Sequence, residues 1–305
     1  MNPSSNHPVF AGGTAYIDDQ FVPISEARIP IIDLGFLHSD ATYDVAHVWQ
    51  GSFFRLDDHL NRFINGMQRL HMSIPHNRDR IREILFECVK FGNLQDAYVE
   101  MICTRGIAKP GSRDPRECTN RFYAFAIPFV WIANPEKQKE GLHLIVSQVH
   151  RISRTSVDPT VKNYHWLDLV AGLYEAYDRG GETAILSDPE GNVIEGAGFN
   201  IFSVKQEKIS TPAQGVLEGV TRKTVIEMCH MLNIPIEIRD VSAEEIRHAN
   251  ELFISSTAGG IMPITKVDGQ AIGDGKPGRT TLRLHKQYWD LHQDARYATA
   301  VQYVS

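Results

Sequence analysis

One short segment divides this chain. Residues 134–141, Asn134-Pro135-Glu136-Lys137-Gln138-Lys139-Glu140-Gly141, are polar, place proline near the start and close on glycine. They lie between two apolar runs, 122–132 and 142–149. A segment with so little to bury reads as a linker, since few core contacts can cross it. The expected division is an N-terminal domain at 1–133, the linker at 134–141 and a C-terminal domain at 142–305. With 305 residues, 42% of them hydrophobic, the chain can bury a large core and form both.

Charge and cysteine usage exclude several classes. A net charge of -6 and a pI near 6.1 leave no electrostatic footprint for nucleic acid. Cys88, Cys103, Cys118 and Cys229 lie far apart with no CxxC spacing, which suits reduced thiols in the cytoplasm better than a disulfide frame or a zinc site. The thirteen histidines form no HExxH pattern, so no metal is expected. Residues 1–8 are polar and carry no signal-peptide core, and the run at 122–133 contains Pro128 and is too short to span a bilayer.

In the N-terminal half, short strands are expected at 14–17 and 21–24. The segment 29–49 mixes Ile31, Ile32, Leu34, Phe36 and Leu37 with Asp33, His38, Ser39 and Asp40, and so much apolar surface predicts burial. There His38 and Tyr43 either satisfy core hydrogen bonds or meet a ligand. A helix capped by Asp57 or Asp58 follows, with Leu60, Phe63, Ile64, Met67 and Leu70 as its buried stripe. Arg62 stands at the border of that stripe, where an arginine binds an interior phosphate or holds a surface ion pair. A second helix is expected at 78–90, and 96–105 alternates as a strand with Tyr98 and Glu100 on one face. Residues 106–119 form a polar loop holding Lys109, Arg113 and Arg116.

The C-terminal half turns on one lysine. Lys162 stands beside Val161, Tyr164 and Trp166, just ahead of a run in which Leu167, Val170, Leu173, Tyr174 and Tyr177 recur at helical spacing to about Arg179. Such a lysine either snorkels along apolar neighbours or is desolvated so that its neutral amine can form a Schiff base. A hairpin follows, whose second strand, 193–202, sets Glu195 ahead of the small residues Gly196, Ala197 and Gly198. Small residues let a planar ligand approach the backbone, although strand alternation alone allows Glu195 to face solvent. Gly219-Val220-Thr221 opens a helix whose free N–H groups and hydroxyl suit phosphate, and Ser255-Ser256-Thr257-Ala258-Gly259-Gly260 repeats the device at a strand end. A last helix is expected near 280–291.

A lysine in apolar company, a carboxylate on a small-residue strand, two phosphate cradles and a border arginine together describe a pyridoxal 5′-phosphate site. Longer motifs point the same way: Phe36-Leu37-His38-Ser39-Asp40-Ala41-Thr42-Tyr43-Asp44-Val45, Phe53-Phe54-Arg55-Leu56-Asp57-Asp58-His59-Leu60-Asn61-Arg62, Asp158-Pro159-Thr160-Val161-Lys162-Asn163 and Glu195-Gly196-Ala197-Gly198-Phe199-Asn200. With Gly219-Val220-Thr221-Arg222-Lys223 and Thr257-Ala258-Gly259-Gly260 they cover nearly the whole chain. The set resembles the fold-type-IV pyridoxal-phosphate transaminases, the group of the branched-chain and D-amino-acid aminotransferases. Within that group it is most similar to the (R)-selective amine transaminases.

The resemblance implies an α/β fold of α+β type, with a small α/β N-terminal domain and a larger C-terminal domain built around a β-barrel. It implies a homodimer with the cofactor between the domains, passing through its pyridoxamine form. Lys162 would be the Schiff-base lysine and Glu195 the partner of the pyridine nitrogen. Arg62, Val220, Thr221 and Thr257 would hold the cofactor's phosphate, Gly219 and Ser256 would also bind the cofactor, and His38, Tyr43, Val45, Tyr98, Trp166 and Ala258 would line the substrate pockets.

Two departures bear on substrate. Leu167 stands five residues after the lysine, where branched-chain enzymes carry a tyrosine. The loop Ile107-Ala108-Lys109-Pro110-Gly111-Ser112-Arg113 replaces the Gly-Val-Arg-Gly run of the amine transaminases, so the cation for the acceptor's carboxylate is Arg113, Lys109 or neither. The activity implied is transfer of an amino group from an (R)-amine or a D-amino acid to a keto acid such as pyruvate. The alternatives are a D-amino-acid or branched-chain aminotransferase, or a lyase like the aminodeoxychorismate lyases.

Overall fold

A computed structural model describes residues 12–303, so the polar segment at 1–8 lies outside the described residues. The described chain forms two compact units, one of residues 12–130, 161–164 and 292–303, the other of 131–160 and 165–291. This differs from the division read from the sequence. The 134–141 segment is no open linker: Pro135–Glu140 is a helix of the second unit, capped by the Asn134 side chain, with proline at its start. Val161–Tyr164 and residues 292–303 join the first unit through pairings that sequence spacing does not reveal. Thr42 bridges Asn163, and Ala298–Ala300 pairs with Ser52–Phe54.

The first unit is a seven-stranded antiparallel sheet. From one edge its strands are Ala298–Ala300, Ser52–Phe54, Ala41–Trp49, Ala97–Ala108, Cys118–Pro128, Thr14–Ile17 and Gln20–Pro23. Strand alternation sends Ala46, Val48, Val99 and Met101 to a core shared with Leu60 and Phe63 of helix Leu56–Arg69 and with Ile81 and Leu85 of helix Arg78–Phe91. The opposite face carries Tyr43, Val45, Tyr98 and Glu100, and the register sets Val45 against Glu100.

Two expectations fail in this unit. Helix Leu56–Arg69 has no side-chain cap; Arg55 takes the left-handed conformation at its start, and Asp57 and Asp58 fall in the first turn. The apolar segment near residue 30 is not buried, for Ile29, Ile31, Ile32, Phe36 and Leu37 are each at least half exposed. Its buried residue is Asp33, which accepts from the Thr104 and Tyr123 hydroxyls at 2.9 and 2.8 Å.

The second unit is built on a closed barrel. Strands Phe199–Lys205, Glu251–Ser256, Gly260–Val267, Leu142–His150, Thr183–Ser187 and Val193–Gly196 pair in that order, and the last pairs back with the first. Leu142, Leu144, Val146 and Ile185 point into one core, while Ile145, Ala184 and Leu186 meet Leu169 and Ala176 of helix Leu167–Asp178. Helices Val220–Met231 and Arg279–Asp290 pack on strand Glu251–Ser256.

The helix after the lysine buries a different face from that expected, with Leu173 of the expected stripe half-buried at its edge. Leu169, Gly172 and Ala176 are buried, whereas Leu167 is 89% exposed and Val170, Tyr174 and Tyr177 are exposed as well. The small residues allow close approach, since a Cβ at Gly172 would lie 2.6 Å from Leu186. The strand expected at 193–202 is instead a hairpin turned at Ala197-Gly198, which makes Asn200 the register partner of Glu195. Gly198 has φ +82°, a conformation that favours glycine.

Candidate active site

Lys162 is pinned through its backbone. Its carbonyl accepts from Tyr43 N at 3.1 Å and from Thr42 Oγ1 at 2.9 Å, both on strand Ala41–Trp49. That leaves the half-buried side chain to lie over an aromatic ring, with Nζ 4.4 Å from the Tyr43 centroid. The Tyr43 ring stacks on Tyr164, whose hydroxyl donates to Glu100 Oε1 at 2.5 Å. Tyr98 donates to the other oxygen at 3.1 Å.

Burial pushes the Glu100 carboxyl above its ordinary range, against the pull of the two hydroxyls and of Lys162. Burial, then the charge of Glu100, pushes both the Tyr98 and Tyr164 hydroxyls up, so they stay protonated donors at neutral pH. Strand alternation placed Glu100 beside Tyr98, but its role and that of Tyr164 were not legible in the sequence.

On the helix side of the same strand, Asp44 is fully buried between two bases. Arg62 reaches it twice, Nε to Oδ2 at 2.7 Å and Nη2 to Oδ1 at 2.8 Å, and His59 Nδ1 lies 2.7 Å from Oδ1. Burial opposes the Asp44 charge, but Arg62 and then His59 outweigh it and hold the carboxyl well below its usual range. Burial likewise pushes the His59 imidazole down. Arg62 thus carries a bidentate ion pair to a buried carboxylate. His38 ends the short helix Leu34–His38 and is exposed, while Val45 is buried in the strand.

In the second unit Glu195 is 7% exposed. Its Oε1 accepts from Arg151 Nε at 3.1 Å and its Oε2 from Leu217 N at 2.9 Å. Arg151 continues to Asp168 Oδ2, Nη1 donating at 2.6 Å. Neither Arg151 nor Asp168 was singled out from the sequence, because their meeting with Glu195 depends on how the barrel closes.

The first turn of helix Val220–Met231 contains no acidic residue and no side-chain cap. Thr221 is buried there, and its hydroxyl has no hydrogen-bond partner among the described residues. Gly219 at its start leaves room for Asn200, for a Cβ there would lie 2.3 Å from Asn200 Oδ1 and force that side chain to shift. Strand Glu251–Ser256 ends in a turn that begins at Thr257. Ser256 Oγ donates to the Gly198 carbonyl at 2.7 Å and accepts from Ala258 N at 3.2 Å, tying the two turns together. Trp166 lies over the first of them, 3.6 Å from where a Gly198 Cβ would stand.

The loop after strand Ala97–Ala108 carries three cations. Lys109 lies 3.7 Å from Glu117 and Arg116 2.6 Å from Asp114, whereas Arg113 is exposed and has no ion pair among the described residues.

The chain belongs to a known class. The model of the family described as "Amino-transferase class IV" matches residues 41–267, a span that contains Lys162, Glu195 and Thr257, and the chain belongs to this family. More particular likenesses follow. A Methanocaldococcus jannaschii protein, provisionally named a branched-chain-amino-acid aminotransferase, is 30% identical over 279 residues, 90% of this chain and 95% of its own. The D-alanine aminotransferase of Listeria monocytogenes is 28% identical over 279 residues, 89% of this chain and 93% of its own. The branched-chain aminotransferase of Thermoproteus uzoniensis, solved with norvaline, superposes with a TM-score of 0.86 at 27% identity, covering 95% of this chain and 99% of that one.

Proposed function

We propose that the protein is a pyridoxal-5′-phosphate-dependent aminotransferase that moves an amino group from an (R)-amine or a D-amino acid to a keto acid such as pyruvate. One observation carries the reading. Lys162 Nζ rests on an aromatic ring and has no carboxylate ion pair among the described residues, so its amine is available as a nucleophile.

The other groups fit the cofactor. An uncapped helix start with the Thr221 hydroxyl suits a phosphate, and a buried carboxylate suits a protonated ring nitrogen. When bound, pyridoxal 5′-phosphate supplies an aldehyde that bonds primary amines and a ring that withdraws electrons from the reacting carbon. Lys162 Nζ would carry the proton from that carbon to the cofactor's aldehyde carbon. Glu195 holds the proton on the ring nitrogen. Arg62, Val220, Thr221 and Thr257 would hold the phosphate, with Gly219 and Ser256 also binding the cofactor, and Arg62 would bring a charge already oriented by Asp44.

His38, Tyr43, Val45, Tyr98, Trp166 and Ala258 line the substrate space, and Arg113 meets the acceptor's carboxylate. Leu167 supports the (R)-amine reading, since it offers no hydroxyl where branched-chain enzymes place a tyrosine. A second reading, branched-chain amino acids as donors, is favoured by the Methanocaldococcus and Thermoproteus likenesses.

The active form is a homodimer. Two exposed apolar sets support it: Ile29, Ile31, Ile32, Phe36 and Leu37 in the first unit, and Leu167, Val170, Tyr174 and Tyr177 in the second. Burial pushes the Cys103 and Cys229 thiols up to about 12, and none of the four cysteines is bonded, which suits a reducing cytoplasm. Among the described residues no helix is long and apolar enough to cross a membrane.

The experiment is a set of half-reactions followed by cofactor absorbance, using (R)- and (S)-1-phenylethylamine, D-alanine and L-leucine. The (R)-amine or D-alanine should react fastest. Fastest reaction with L-leucine would establish the second reading, and pyruvate release from an amino-acid substrate without an acceptor would replace transfer with lyase chemistry.

A further inference from the structure

We propose that Arg151 is a positioning residue of this active site, holding Glu195 ionised and oriented so that the carboxylate can keep a ring nitrogen protonated; the inference rests on that reading of Glu195. A carboxyl group on a barrel strand does not stay charged by default, because burial favours its neutral form. Glu195 is buried, and the groups facing it identify what offsets that cost. Arg151, directly after strand Leu142–His150, donates to Oε1. Leu217, ahead of helix Val220–Met231, donates its backbone N–H to Oε2. Strand Phe199–Lys205 supplies Asn200 as register partner, whose amide is turned to the Leu217 carbonyl at 2.9 Å. Arg151 brings a full positive charge to this set.

Arg151 is itself held on both sides. Its side chain is 8% exposed, and its second contact, to Asp168, is anchored by Ile152 N on the same oxygen at 2.7 Å. Asp168 stands in the first turn of helix Leu167–Asp178. Burial opposes the guanidinium charge, but Glu195 and Asp168 more than offset it and raise its pKa. The result is a fixed carboxylate–guanidinium–carboxylate row. A planar fork with two anchored ends sets the direction of Glu195 as well as its charge, which a lysine cannot do equally well.

Cofactor-loaded wild type, Arg151→Met, Arg151→Lys and Glu195→Gln test this with two readouts. One is the half-reaction rate with an amine donor as a function of pH. The other is the infrared signal of carboxyl protonation, with Arg151→Met compared against Arg151→Met/Glu195→Gln. Arg151→Met should lose about 10- to 100-fold in rate at neutral pH and recover as pH rises through a new ionisation, since a buried carboxyl without its cation charges only at higher pH. The infrared signal of Glu195 should titrate at that same pH. Arg151→Lys should show the ionisation at lower pH than Arg151→Met, because it keeps the charge.

An Arg151→Met profile parallel to wild type, or a lysine variant no better than methionine, overturns the proposal. If Arg151→Met does not fold, absence of any displaced ionisation in Arg151→Lys overturns it equally. An unchanged rate in Glu195→Gln removes the ring-nitrogen reading itself. A slowed Glu195→Gln beside unaltered Arg151 variants removes only the role of Arg151.

Discussion

Tyr43 and Tyr164 stack face to face, with ring centroids 4.2 Å apart and planes 3° from parallel. One comes from strand Ala41–Trp49, the other from the segment that carries Lys162, and the amine of Lys162 lies over the first. The stack ties the lysine's segment to the sheet and leaves its amine against an apolar surface. Such a contact is worth about 0.5–1.5 kcal/mol beyond the area it buries.

Lys162→Ala should therefore remove turnover while sparing the fold. Loss of the nucleophile and proton carrier predicts a fall of about 10⁴-fold or more in the half-reaction. The lost cation–π contact should cost only about 0.5–1 kcal/mol in urea unfolding. Turnover close to wild type would dismiss Lys162 as the catalytic lysine.

Glu195→Gln should keep the cofactor bound but slow proton transfer by about 100-fold or more, the scale of one lost preorganised electrostatic contact. Stopped-flow absorbance of the half-reaction reads the rate, and dialysis reads the retention. Retention with an unaltered rate would mean that Glu195 does not act on the ring nitrogen.

Asp44 and His59 predict how stability depends on acid. Both have pKa values lowered by folding, so each contributes stability above its unfolded pKa that is lost as pH falls. The His59 part should begin to fade below about pH 6.5 and the Asp44 part below about pH 4. Urea midpoints across this range should trace both limbs, and His59→Gln should flatten the upper one. Asp44→Ala removes the bidentate carboxylate from Arg62 and the contact to His59, and should cost about 3–5 kcal/mol at pH 7, the scale of breaking a buried pair. A flat profile in the wild type would contradict the account of this cluster.

Arg113→Ala should weaken pyruvate use by about 10- to 100-fold, the effect of losing one charge-assisted contact of about 1.5–3 kcal/mol. Amine deamination by the loaded enzyme should be nearly unaffected, because an apolar donor presents no carboxylate. Equal losses in both half-reactions, or none in either, would exclude Arg113.

If the proposed homodimer uses the exposed face of helix Leu167–Asp178, Leu167→Glu with Tyr174→Glu should shift the protein from dimer to monomer in sedimentation, since two charges would enter an apolar interface. A wild type that sediments as a monomer would dismiss the dimer, and a dimer unchanged by the substitutions would exclude this face.

Local periodicity was enough to read helix Arg78–Phe91, strand Leu142–His150, helix Arg279–Asp290 and the helix start just beyond Lys162, because each signal is contained in its own segment. Motif spacing likewise singled out Lys162, Glu195 and Thr221 as residues to examine. What a segment packs against is a different quantity. Helical spacing marked an apolar stripe through Leu167 and Tyr174, yet the barrel takes the small-residue face at Gly172 and Ala176 because only there can the helix approach closely. The turn at Ala197-Gly198 that sets Glu195 against Asn200, the stack of Tyr43 on Tyr164 and the Glu195–Arg151–Asp168 row all join residues from separate elements. Their meeting depends on strand register and barrel closure, long-range pairings that no local pattern encodes, so tertiary structure alone decided them.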